Sequence, residues 1–177
     1  VRPDDTEDSL LRKVRLATIL GTIQSTLVNF KYVSKEWKKN CEEERLLGVS
    51  LTGIMDNKWT AGKINGLEVL LENLKKMAVE TNKEWADKIG IKQAAAITCV
   101  KPSGTVSQLV DSASGIHARH NPHYIRTVRG DKKDPLTKMM VDMGFPAEDD
   151  VMKPNYTTVF SYPIKWSPDA VFRKDMT

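Results

Sequence analysis

The chain has 177 residues, 40% of them hydrophobic and 28% charged, with 27 Lys and Arg against 23 Asp and Glu for a formal charge of +4. That length suits one ordinary domain with a real core, and the composition excludes a disordered or fibrous protein. The positive excess is spread over separate lysines, so no nucleic-acid partner is expected, and no apolar run reaches the length of a membrane span.

Asp4, Asp5 and Thr6 lead into a first predicted helix. Its apolar stripe runs Leu10, Val14, Ala17, Leu20 and Gln24, continued by Leu27 and Val28. "KEWKKNCEEER" reads as a short polar helix after a turn. "RLLGVSLTGIMDN" places Leu47, Leu51, Ile54 and Met55 on one helical stripe, with Gly48 and Gly53 allowing close packing. A loop over 57–62 precedes a long helix that opens at Asn65 or Gly66. It carries Leu67, Val69, Leu70, Leu74, Met77 and Ala78, extends through Trp85 and Ile89, and stops at Gly90. "QAAAITCV" is then a strand, apolar enough to be buried on both faces, with Cys99 inside it and Pro102 at its end.

A short helix is predicted from Thr105 to before Gly115, and a strand over Tyr124–Arg129. Asp134 and Pro135 start another helix, whose Met139, Met140 and Met143 are spaced as core residues; Gly144 ends it. "YTTVFSYPIK" is the last strand, stopped by Pro163. The order is α/β with crossovers and a helix-rich first half, one partial domain over 1–177. With Val1 at one end and "KDMT" at the other, the chain reads as a piece of a longer polypeptide.

Two cysteines, Cys41 and Cys99, make no scaffold or CxxC pair, which suits a reducing, cytoplasmic compartment. Cys41 is expected near the surface and Cys99 buried, both structural or incidental. His117, His120 and His123 lack supporting Asp or Cys at ligand spacing, so no metal site is expected. Arg119 lies among those histidines. Arg126 and Arg129 fall on opposite faces of a strand, where one of them can meet a phosphate or a carboxylate. No serine sits in a nucleophile elbow.

The sharp feature is "VKPSGTVSQ". A strand end, a glycine turn and a helix start expose backbone N–H groups. Ser103, Thr105 and Ser107 add hydroxyls, and Gly104 lets an anion approach the backbone. The spacing is neither that of a Walker A loop nor that of a dinucleotide fingerprint. Anion binding and simple helix capping by Ser103 or Thr105 are both open readings.

"RLLGVSLTGIMD" and "VKPSGTVSQLVDSASGIHARHNPHYIRTVRG" together resemble ribonucleotide reductases, above all the monomeric adenosylcobalamin-dependent ribonucleoside-triphosphate reductases. "TVFSYPIK" is similar to a late barrel strand of that family. The resemblance implies a fragment of a ten-stranded α/β barrel, the C-terminal part of a catalytic chain that replaces the ribose 2'-hydroxyl by hydrogen through a cysteine thiyl radical. It implies adenosylcobalamin in the full-length enzyme, bound elsewhere than on this piece. A ribonucleoside triphosphate substrate, a thioredoxin-like reductant and the remainder of the reductase chain are the implied partners. By position, substrate-phosphate binding falls on Pro102, Ser103, Gly104, Thr105, Val106 and Ser107. The family's Asn-x-Cys-x-Glu radical motif is absent, so no catalytic residue is assigned and the piece alone is expected to be inactive. A diphosphate-specific or diiron-dependent reductase subunit, or a non-catalytic module with the inherited fold, are the alternatives.

Overall fold

The computed structural model describes every residue except Pro102, Ser167, Pro168 and Thr177. The chain forms two compact units, one of residues 1–119 with 169–171, the other of 120–168 with 172–177.

The first unit is built on two helices, α1 (Glu7–Gln24) and α3 (Leu67–Ile89), which pack on each other. Thr6 and Ser9 close a reciprocal capping box at the start of α1, with Glu7 and Asp8 beside it to complement the helix dipole. α3 begins after Gly66 and ends at Gly90, both left-handed (φ +95° and +76°), as its sequence anticipates. Leu10 and Val14 of α1 meet Leu70, Leu74 and Ala78 of α3 in the buried core. Beyond Val14 the expected stripe fails. Thr18 and Thr22 are fully buried, whereas Leu20 is 67% exposed and Ala17 also faces out. The buried row follows the i+4 spacing 10, 14, 18, 22. Each threonine hydroxyl donates to the carbonyl four residues back (2.8 Å to Val14 O and to Thr18 O), which removes most of the cost of burying it. Asn82 of α3 donates to Thr22 Oγ1 at 3.0 Å and accepts from Ala94 N–H, tying the α3 exit to α1. Val69, expected on the inner stripe of α3, is exposed.

α2 (Lys35–Glu44) is the expected short polar helix, with Ser34 capping it. The stretch after it is not a helix. Arg45 takes a left-handed φ of +48° and ends α2, and Leu47–Val49 then run extended beside Ala95–Cys99. Their bonds (Leu47 N–H to Ala96 O, Val49 N–H to Ile97 O, Cys99 N–H to Val49 O) make a short parallel ladder. Gly53, at φ +74°, turns the chain into a single 3₁₀ turn, Ile54–Asp56. Here tertiary pairing outweighs an apolar spacing that fits either period. The "QAAAITCV" strand is correspondingly shorter and more open than expected. Its bridge is to Val49, with a further bond from Ala95 N–H to Glu44 O at 2.8 Å, and Cys99 is exposed rather than buried. Cys41 is half-buried. α4 (Val106–Leu109) completes this unit.

The second unit is a three-stranded antiparallel sheet in the order β1 (His123–Asp131), β3 (Thr157–Lys165), β2 (Ala147–Asp149). The connection between β1 and β3 holds α5 (Pro135–Asp142) and β2, so it is no parallel crossover, contrary to the sequence reading. Asp134 caps α5 by accepting from Leu136 N–H at 2.8 Å, with Pro135 at the first helical position. Met139 and Met143 are exposed, not core; the buried residue of α5 is Thr137. Pro163 does not stop β3, which continues to Lys165 with Pro163 opposite Ile125. β2 ends opposite Thr158–Phe160, so at Pro163 the strand is paired on one side, and its other edge needs no donor.

Candidate functional site

The predicted anion turn lies in the first unit, bordered by the loops 50–56 and 111–117. Gly104 has φ +53° and Thr105 follows in right-handed conformation (φ −85°, ψ −11°). A left-handed residue followed by a right-handed one makes successive N–H groups converge on one point, the geometry of an anion nest. Among the described residues none accepts from the N–H of Ser103, Gly104 or Thr105, while Val106 N–H closes the turn onto Ser103 O at 3.1 Å. A Cβ built on Gly104 would meet nothing within 4 Å, so the space over the turn is open. α4 has only four residues, so its macrodipole is small and the turn's own donors must carry any anion.

The hydroxyls divide. Thr105 is exposed and its side chain caps nothing, which removes it as a helix cap. Ser103 is half-buried and points at Thr52 and Ser114 instead of capping α4. Ser107 is fully buried and donates to Gly104 O at 3.2 Å, so it braces the turn rather than facing solvent. Val106 is 65% exposed, and Pro102 lies outside the described residues. Lys101 is exposed, with its backbone N–H on Ser50 Oγ at 3.2 Å.

Three residues that sequence reasoning missed hold the turn. Thr52 Oγ1 lies 2.9 Å from Ser103 Oγ and accepts from Gly115 N–H at 3.0 Å. Ser114 Oγ donates to Gly104 O at 3.1 Å. Asp56, fully buried, accepts from Ala113 N–H at 2.6 Å and from Arg119 Nε at 2.8 Å. Arg119 Nη2 adds a second bond to Asp56 at 3.2 Å, so this arginine is committed to a carboxylate and is no phosphate ligand. The local signal for Thr52 and Asp56 was hidden because their segment scanned as a helix.

His117 Nδ1 is 3.0 Å from Ser114 O, and His120 makes an edge-on contact with Tyr124. Among the described residues no three His, Cys, Asp or Glu side chains cluster as metal ligands. Within the second unit, Arg129 pairs with Asp150 at 2.8 Å. Beside the parallel ladder of the first unit lies a cleft of about 480 Å³, lined mainly by aliphatic residues such as Val49, Leu51, Leu74, Val100 and Ile116. No described helix is long and apolar enough to cross a membrane.

No family model matches the chain. Among curated proteins it is 25% identical to the adenosylcobalamin-dependent ribonucleoside-triphosphate reductase of Lactobacillus leichmannii, over 70% of the chain and 20% of the relative. To the protein of the same name from Euglena gracilis it is also 25% identical, over 88% of the chain and 22% of the relative. The chain is a homologue of these reductases. It superposes on a crystal structure of a B12-dependent (class II) ribonucleotide reductase with a TM-score of 0.70 and 20% identity, over 90% of this chain and 26% of that one. The fold is therefore that of a fragment of the class II reductase barrel, mixed helix and strand, as the resemblance implied. The chain spans about a fifth of the length of these curated reductases.

Proposed function

We propose that this chain is the part of a ribonucleoside-triphosphate reductase that receives the phosphates of its substrate, in an enzyme that converts ribonucleotides to 2'-deoxyribonucleotides. The observation that carries this reading is the turn Ser103–Thr105. It leaves three backbone N–H groups without an acceptor among the described residues, beside a glycine whose Cβ position is open, within a segment homologous to reductases named for a triphosphate substrate. Backbone N–H groups and the Ser103 hydroxyl would take the phosphate oxygens, Gly104 would admit them to the backbone, and Ser107 would hold the turn from behind. Thr105 and Val106 flank the donors, and Pro102 precedes them in sequence.

The described residues do not fit adenosylcobalamin. The 480 Å³ cleft matches a drug-sized ligand, a corrin with its axial groups is far larger, and the lining is largely aliphatic. No step through the cofactor is assigned to these residues. In the intact reductase the cofactor, the radical cysteine and the thiol pair that a thioredoxin-like protein would re-reduce belong to the remainder of the reductase chain.

The test compares the affinity of a ribonucleoside with that of its triphosphate, in the wild-type chain and in Ser103→Ala and Gly104→Val. The expected result is a phosphate-dependent gain that both variants reduce. Variants that keep the whole gain would place the phosphate site elsewhere.

A further inference from the structure

We infer that Thr52 is a positioning residue that sets the Ser103 hydroxyl as an anion donor, an inference that rests on the phosphate reading of the turn. Thr52 Oγ1 has one proton, and it already accepts the Gly115 N–H bond. Two acceptors stand within reach of that proton, Ser103 Oγ at 2.9 Å and Ala113 O at 3.0 Å. The Ala113 carbonyl is independently satisfied by Gly53 N–H at 2.8 Å, so it does not need Thr52. At the far end of the chain of hydroxyls, Ser114 Oγ donates to Gly104 O at 3.1 Å, which leaves its lone pairs toward Ser103 Oγ, 3.3 Å away.

These contacts allow one consistent order of protons, from Thr52 to Ser103, from Ser103 to Ser114, and from Ser114 to Gly104 O. Ser103 then spends its own proton on the longest bond of the series. A phosphate oxygen over the turn is a charged acceptor and outcompetes the neutral Ser114 oxygen for that proton. A hydroxyl that is itself accepting a bond donates a stronger one, so Thr52 both orients and strengthens the Ser103 donor. The neighbouring serine, Ser107, has no such role, because its proton is committed to Gly104 O at the back of the turn.

The experiment titrates inorganic tripolyphosphate into the 177-residue chain by calorimetry. Thr52→Val should weaken binding about five- to tenfold, the size of one neutral hydrogen bond. Thr52→Ser should restore it, and Thr52→Val combined with Ser103→Ala should bind no worse than Ser103→Ala alone. If Thr52→Val binds as wild type while Ser103→Ala and Gly104→Val lose affinity, the inference fails and the phosphate reading stands. If Ser103→Ala and Gly104→Val also bind as wild type, the phosphate reading fails and the inference with it. Should Thr52→Val not fold, the Thr52 methyl resonance of the wild type decides. Movement along the same titration curve as the Ser103 amide supports the inference, and a stationary methyl overturns it.

Discussion

Arg119 Nε donates to Asp56 Oδ1 at 2.8 Å across 63 residues of sequence, and neither side chain is more than 3% exposed. The pair ties the 3₁₀ turn at 54–56 to the loop that borders the glycine turn at 103–105, since the same carboxylate also accepts from Ala113 N–H. A buried pair broken on one side leaves an uncompensated charge. Arg119→Met or Asp56→Ala should therefore cost about 3–5 kcal/mol, read from urea unfolding. A loss under 1 kcal/mol for both would mean that water or another group replaces the partner, and that the pair is not the anchor described here.

Gly104 makes its conformation testable. At φ +53° a β-branched residue is strained, although its Cβ would have open space around it. Gly104→Val should lose about 1–2 kcal/mol of stability from the backbone alone, and Gly104→Asn less, because asparagine visits this region. Thr105→Ala should change stability by under about 0.5 kcal/mol, since its hydroxyl caps nothing. Thermal melts of the three variants check the order, and a large loss at Thr105→Ala would contradict the geometry.

Asp150 gives a pH signature to the second unit. The hydrogen bond from Arg129 holds its carboxyl below the usual range against the effect of burial, helped by the N–H groups of Lys153 and Met152. A depressed carboxylate contributes stability that is complete above its unfolded value, near 3.9, and disappears as pH falls through the folded value. Asp150→Asn should therefore be less stable than wild type at pH 6, with the gap closing below about pH 4. Urea midpoints measured across that range would refute the assignment if the gap stayed constant.

Gly130 in β1 faces Thr137 of α5 so closely that a Cβ there would collide with the threonine hydroxyl, with Phe160 3.4 Å away. Gly130→Ala should cost about 1–3 kcal/mol through overpacking. Thr137→Ala, added to it, should recover much of that loss. A double mutant no more stable than Gly130→Ala would show that Thr137 is not the obstacle.

The elements that the sequence announced correctly are those with local punctuation. Gly66 and Gly90 bound α3, Thr6 opens α1, Asp134 and Pro135 open α5, and the β-branched run at 157–160 marks β3. Such signals are read within one turn of chain, so they survive whatever the rest of the molecule does. The glycine turn at 103–105 was legible for the same reason, because Gly104 takes a positive φ that glycine adopts without strain.

Partners distant in sequence set the rest. Residues 47–51 carry an apolar spacing that fits a helix, yet they lie extended because Ala95–Cys99 offer a parallel ladder. Thr18 and Thr22 are core while Leu20 is not, because the facing surface of α3 selects the i+4 row and the hydroxyls satisfy themselves locally. Arg119 had no assigned partner until Asp56 was placed beside it, and Thr52 had no visible role until Ser103 lay 2.9 Å away. A few adjacent residues specify the glycine turn through their own conformations and donors. Folding determined which side chains hold that turn, because a hydrogen bond across fifty or sixty residues leaves no local trace.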